Sequence, residues 1–295
     1  MSNAFLYVIT VLIWGSTWLA IKLQLGTVAP ELSVAYRFLL AALILFVYSK
    51  WRGLNLRFSR SQHAFMALQG LMLFSLNYVM VYFSETYVTS GLVAVLFSAV
   101  IILNVMFGAI FLRNAVQGRV VAGALVGVVG VALIFWPELR GLQVDSLRAL
   151  GIGLGLCAAV SASLGNIVSA RNQRANLPVI QTNAYGMLYG SLATLAFAVL
   201  RGTQFTFELS AGYLGSLLYL ALFGSVIAFG SYLTLLGRIG ADRVAYVNVF
   251  VPVIALALSA IFEGLHLGWF EFTGVALVLL GNAIVVGSKR LKASA

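Results

Sequence analysis

Ten runs of apolar residues follow one another along the chain, separated by short polar connections. A helix needs about 20 mostly apolar residues to cross roughly 30 Å of hydrocarbon. On that measure the spans fall at 4–23, 32–50, 64–84, 88–112, 118–136, 149–170, 179–200, 211–236, 243–262 and 268–288. Within them the apolar pattern is continuous, as in VVAGALVGVVGVALIFW at 120–136, whereas strands of a membrane barrel alternate polar and apolar positions. The pattern therefore predicts an all-α polytopic membrane protein with ten transmembrane helices. Composition agrees: 62% of the 295 residues are hydrophobic and 9% charged, with mean hydropathy +1.02. A water-soluble fold of this length could not bury so much apolar surface.

Charge adds an orientation. With the N-terminus inside, the inner connections and tail hold Lys50, Arg52, Arg57, Arg60, Arg113, Arg119, Arg171, Arg174, Arg238, Arg243, Lys289, Arg290 and Lys292. Those are thirteen of the eighteen basic residues; Lys22, Arg140, Arg148 and Arg201 fall outside and Arg37 lies within the second span. The positive-inside rule then places both termini in the cytoplasm. The formal +10 does not imply a nucleic-acid partner, because it is spread loop by loop over one face without a basic soluble domain. The first span lacks the positive n-region of a secretory signal and has its counterpart in the sixth, so it is expected to remain.

The spans repeat. Sliding the sequence along itself by 151 positions places Val93 on Val244, Ala94 on Ala245, Val100 on Val251, Ala109 on Ala260 and Phe111 on Phe262. In the next helix Gly123 meets Gly274 and Gly130 meets Gly281, and a shift of 148 puts Pro30 on Pro178. Residues 1–140 and 146–290 thus each hold five spans. An odd number makes the second half enter the membrane in the opposite sense, giving inverted five-helix repeats. Halves related in this way can open one face while closing the other, which is how carriers alternate access.

Several motifs point further. The first span contains IWGSTWLAIKL at 13–23, the second opens PELSVAYRFLLAALIL at 30–45, and 85–96 reads ETYVTSGLVAVL. The second half gives GADRVAYVNVFVPVIALALSAIFEG at 240–264, followed by a glycine-containing last helix. Over essentially the whole chain this resembles the EamA branch of the drug/metabolite transporter superfamily, and in its aromatic character the YddG-type aromatic amino-acid exporters. The resemblance implies a ten-helix carrier with two inverted EamA repeats and a central cavity, exporting amino acids or related metabolites. Two departures mark the halves as diverged. The proline frequent in the fourth helix is Ile101 here but is kept as Pro252 in the ninth, and the acidic residue at that helix end is Leu112 in the first repeat and Glu263 in the second.

A transport cavity needs polar or aromatic groups facing the bundle interior, where each would be costly against lipid. Trp14 and Trp18 are four apart, as are Tyr78 and Tyr82 with Glu85 three further on, and as are Tyr185 and Tyr189, so each set shares a helix face. Aromatics at this spacing also serve as packing or as interfacial belts. Amides and hydroxyls within spans extend the substrate-binding candidates to Ser98, Asn166, Tyr246 and Asn248, beside Asn77 and Asn104. Tyr246 and Asn248 stand just before Pro252, which frees the Asn248 carbonyl and bends the helix. Among the few charges, Lys22, Arg37 and Glu85 are the gate candidates; Arg37 lies deep enough to need a partner, which a nearby carboxylate would supply. Small-residue pairs at Gly123 and Gly127, Gly151 and Gly155, and Gly186 and Gly190 predict close helix approach.

Energy coupling is less legible. All eight acids fall in loops or near span ends, His63 and His266 are peripheral, and no Walker A loop is present, so facilitated or exchange transport fits best, with proton coupling through Glu85 left open. The lone Cys157 offers no disulfide or metal set and reads as a small packing residue. No cofactor or metal is expected. The partners are the lipid bilayer and a small-molecule substrate; no oligomeric state is implied, and a monomer is compatible. A small-molecule or drug exporter with a permissive hydrophobic cavity is the alternative. An intramembrane enzyme is more remote, for want of a nucleophile beside a base or paired acids.

Overall fold

The structure, a computed structural model, describes residues 1–24, 26–141, 145–262 and 268–286. Among the described residues, ten helical segments make up the bundle. The first half consists of α1 (Asn3–Lys22), α2 (Pro30–Trp51), α3 (Arg60–Tyr87), α4 (Ser90–Phe97 continued by Val100–Leu112) and α5 (Gly118–Ile134). The second consists of α6 (Ser146–Arg174), α7 (Val179–Leu200), α8 (Ala211–Ile239), α9 (Ala241–Val244 continued by Tyr246–Phe262) and α10 (Trp269–Val286). A short helix, Trp136–Arg140, follows α5.

Local chemistry sets the helix ends. Ser59 and Gln62 form a reciprocal capping box at the start of α3, and Asp145 accepts from the Arg148 N–H to cap α6. Pro30 occupies the first turn of α2, where its missing N–H costs nothing. Gly240, at φ 95°, makes the turn from α8 into α9, a conformation that a side chain would strain.

Helices pair reciprocally across the two halves. α1 packs on α8 and α9, as α6 packs on α3 and α4, while α2 meets α7 and α5 meets α10. This is the pattern that two inverted repeats produce about a pseudo-two-fold axis. The predicted small-residue contacts sit where α5 crosses α10 and where α3 crosses α7: a Cβ added to Gly123 would lie 2.7 Å from the Gly281 carbonyl, and one on Gly190 2.7 Å from that of Gly70. Leu43, Val47, Leu125, Val129, Leu192 and Val199 are exposed on the outside of the bundle, where lipid would cover them. Cys157 is exposed there too, so it packs no core as its sequence context had suggested.

Two helices depart from α geometry at matching places. α3 is π-helical over Leu71–Leu76 and α8 over Leu220–Ile227. The sequences correspond, Leu71, Leu73, Phe74 and Ser75 in one and Leu220, Leu222, Phe223 and Ser225 in the other. A wider turn leaves backbone carbonyls without their usual partners and re-aims the side chains around it. Both stretches face the middle of the bundle.

Candidate functional site

A central cavity of about 110 Å³ lies between the halves. It takes Trp14 and Thr17 from α1, Arg37 from α2, Asn77, Tyr78 and Tyr82 from α3, Phe97 from α4, Asn166 from α6, Phe229 and Tyr232 from α8, and Asn248 and Pro252 from α9. Since one water takes roughly 30 Å³ of liquid, the space holds a few waters or part of a small solute. Toward the end of the bundle where α1 finishes, a wider space of about 550 Å³ adjoins it, lined by Thr27, Tyr82, Glu85, Thr86, Thr203 and Thr206 among others. Tyr82 lines both spaces.

The walls are aromatic. Trp14 packs against Phe229 and Tyr232 with ring centroids 4.9 Å apart in both pairs. Phe38 bridges Phe74 and Tyr78 at 5.3 and 4.9 Å. The π-helical stretch of α8 anchors two of the cavity residues. The Trp14 indole donates to the Gly224 carbonyl at 3.1 Å, and Arg37 Nε donates to Ser225 Oγ at 2.9 Å. Ser225 in turn donates to the Leu220 carbonyl, five residues back.

Below these rings a polar network ties four helices. Asn104 donates to the Ala241 carbonyl at 2.8 Å and accepts from Ser163 at 2.7 Å, and Asn166 donates to the Tyr232 hydroxyl at 3.1 Å and more weakly to Asn104 Oδ1 at 3.5 Å. It fills the bundle between the cavity and the end where α1 begins. The partner expected for Arg37 differs from the one found: its Nε is held by a hydroxyl rather than a carboxylate, and its guanidinium lies over the Tyr78 ring at 4.9 Å. Glu31, the other buried charge of α2, instead meets Arg201 at 3.6 Å and Thr203 at 2.7 Å.

Four cavity side chains leave a buried polar atom without a partner: Arg37 Nη1, Asn77 Oδ1, Tyr82 Oη and Asn166 Oδ1. The four residues are only 1%, 4%, 2% and 2% exposed. Buried polar atoms are ordinarily paired, and these four residues share the lining of one cavity.

Residues 1–136 and 149–287 each match the model of the EamA-like transporter family. The chain belongs to this family. Among its relatives, the "Probable amino-acid metabolite efflux pump" of Escherichia coli strain K12 is 27% identical over 95% of this chain and 93% of its own length. "Protein PagO" of Salmonella typhimurium is 23% identical over 99% of the chain and 95% of its own length, and the "Uncharacterized inner membrane transporter YedA" of Escherichia coli K12 is 27% identical over 95% and 89%. A solved structure titled only "Crystal structure of protein" superposes with TM-score 0.83 at 18% identity, covering 98% of both chains, and so shares the fold.

In this EamA-like transporter, Trp14, Arg37, Tyr78, Tyr82, Asn166 and Asn248 stand around one cavity. Tyr185 and Tyr189 do not. They stack on each other at 6.1 Å where α2 ends and α3 begins, Tyr185 donating to the Leu56 carbonyl and Tyr189 bonding His63 Nδ1 at 2.9 Å. Tyr246 turns away from the cavity to donate to the Val120 carbonyl at 3.3 Å, because two residues along a helix reverse the face that Asn248 presents. Ser98 sits at the break in α4 and donates to the Val95 carbonyl at 2.6 Å. Glu85 borders the wider space, its Oε1 unpaired. The side chains of Trp18 and Lys22, and Glu263 as a whole, lie outside the described residues.

Phe229 and Tyr232 were not among the residues singled out by sequence, although a signal existed. Ser225, Phe229 and Tyr232 recur at i, i+4 and i+7, one stripe of α8 that carries polar and aromatic groups inward.

Proposed function

We propose that this transporter exports amino acids, aromatic and other apolar ones included, and related metabolites across the bacterial inner membrane by alternating access, with both termini in the cytoplasm. The observation that carries the reading is the central cavity itself, walled by rings from both halves and holding buried polar atoms that no protein group pairs. Apolar walls with a few converging polar groups are what a small-solute site requires. The names of the Escherichia coli and Salmonella typhimurium relatives, probable amino-acid metabolite efflux pumps, support the same direction and substrate class.

The reciprocal helix pairing supports alternating access. The network of Asn104, Ser163, Asn166 and Tyr232 closes the end where α1 begins, while the space around Tyr82 and Glu85 leads toward the other end. Exchange of these roles between the halves would pass a solute across. Residues 1–140 and 146–290 act in this reading as the two repeats.

Uptake of phenylalanine, threonine and a lipophilic cation into proteoliposomes tests the proposal. Saturable flux of phenylalanine, with the cation excluded, is expected. Flux of the cation without either amino acid would favour a permissive drug exporter.

A further inference from the structure

The unpaired atoms in the cavity are not interchangeable, because the hydrogen-bond network fixes which are donors and which acceptors. Start at the Ala241 carbonyl, which can only accept. Asn104 must turn its Nδ2 toward it, at 2.8 Å, and so presents Oδ1 to Ser163 and to Asn166. Asn166 therefore offers Nδ2 to that oxygen and to Tyr232, and its Oδ1 is left as an acceptor without a donor. Asn77 is fixed likewise: its Nδ2 donates to the Leu73 carbonyl at 3.3 Å, four residues back, and Oδ1 is left over. Both unpaired amide atoms are thus carbonyl oxygens.

Arg37 supplies the complement. Its guanidinium carries five N–H donors and no acceptor and stays charged. Nε is used by Ser225, Nη1 makes no hydrogen bond among the described residues, and the guanidinium stands beside the Tyr78 and Tyr82 hydroxyls and over the Phe38 and Tyr78 rings at 5.2 and 4.9 Å. Among the described residues no acid lines the central cavity, and Glu85 borders only the adjoining space. A buried cation without a counter-charge is strongly disfavoured unless a ligand brings one.

We propose that Arg37 Nη1 takes the carboxylate of the transported solute while the carbonyl oxygens of Asn77 and Asn166 take its ammonium group, so that the site reads the α-zwitterion. This rests on the transport reading above and deepens it. The rings of Trp14, Phe97 and Phe229 are left to the apolar side chain, which explains how one site can pass side chains of different size while demanding the same charged end. An amine without its carboxylate would leave Arg37 unpaired, and an acid without its ammonium would leave two carbonyls unpaired.

The experiment compares phenylalanine, phenethylamine and 3-phenylpropionate as substrates of the full-length protein in proteoliposomes, with wild type, Arg37→Gln and Asn77→Asp. Wild type is expected to carry phenylalanine about tenfold or more faster than either analogue, the size expected for losing a charge-assisted hydrogen bond. Arg37→Gln should lose most phenylalanine flux and most of its advantage over phenethylamine, while Asn77→Asp should shift preference toward phenethylamine. Wild-type selectivity needs no variant, so it decides the matter even if Arg37→Gln fails to fold. If wild type carries phenylalanine and phenethylamine equally, or folded Arg37→Gln keeps the wild-type ratio, the zwitterion assignment falls and the transport reading survives. If wild type carries none of the three, both fall.

Discussion

Trp14 donates its indole N–H to the carbonyl of Gly224 at 3.1 Å, a bond from α1 into the π-helical stretch of α8. The acceptor is a carbonyl in that stretch, where the wide turn disturbs the regular helical bonding. Trp14→Phe keeps an aromatic ring against Phe229 but removes the donor. The expected cost is about 0.6–1.5 kcal/mol, the range between intramembrane and general hydrogen bonds. Thermal unfolding in detergent checks it: a variant as stable as wild type would show that the bond contributes nothing.

Gly70 and Gly186 bring α3 and α7 into direct backbone contact, and a Cβ on Gly70 would run into the Gly186 carbonyl. Backbone cannot swing aside as a side chain can. Gly70→Ala is expected to destabilise by about 1–3 kcal/mol or more and to lower the yield of folded protein. Gly212→Ala, where a Cβ meets nothing within 4 Å, is the matched control and should leave yield and stability unchanged or slightly improved. Equal behaviour of the two variants would contradict the close packing.

Tyr78 and Tyr82 face the cavity from one side of α3. Ring packing on a solute is worth about 0.5–1.5 kcal/mol beyond area burial, or roughly two- to tenfold in flux. Tyr78→Ala or Tyr82→Ala should therefore slow phenylalanine by that factor and threonine by less, with the protein folded. Identical losses for both substrates would mean that the tyrosines only pack.

Tyr246 and Tyr185 bind backbone carbonyls away from the cavity. Phenylalanine substitution at either removes one hydrogen bond and should cost stability without changing which amino acids are carried. A changed substrate order in Tyr246→Phe or Tyr185→Phe would place the site differently.

The connections at the end where α1 begins hold ten of the thirteen basic residues assigned to the cytoplasm, Lys50, Arg52, Arg57 and Arg60 at the first of them. A reporter active only in the cytoplasm, fused after Ala295, should be active. Its inactivity in an inserted, intact fusion would reverse the orientation.

The ten spans, their duplication and the helical class were legible because hydrocarbon imposes one requirement, an unbroken apolar run, that sequence displays directly. Glycine pairs were legible for a similar reason, since only glycine admits the backbone contacts at Gly123 and Gly190. A helix face was also readable from spacing, which is how Tyr78 and Tyr82 were grouped.

Which face turns inward was decided only by tertiary structure, because spacing says that residues lie together and not what they look at. Tyr185 and Tyr189 have the spacing of Tyr78 and Tyr82, yet they pair with His63 and Leu56 at an end of the bundle. The donor pattern around Asn104 likewise depends on neighbours 59 to 137 residues away in sequence. The sequence determined that this chain is a duplicated ten-helix membrane protein. Packing across the two halves decided where its unpaired polar atoms converge, since hydrogen bonds join groups that only folding brings within reach.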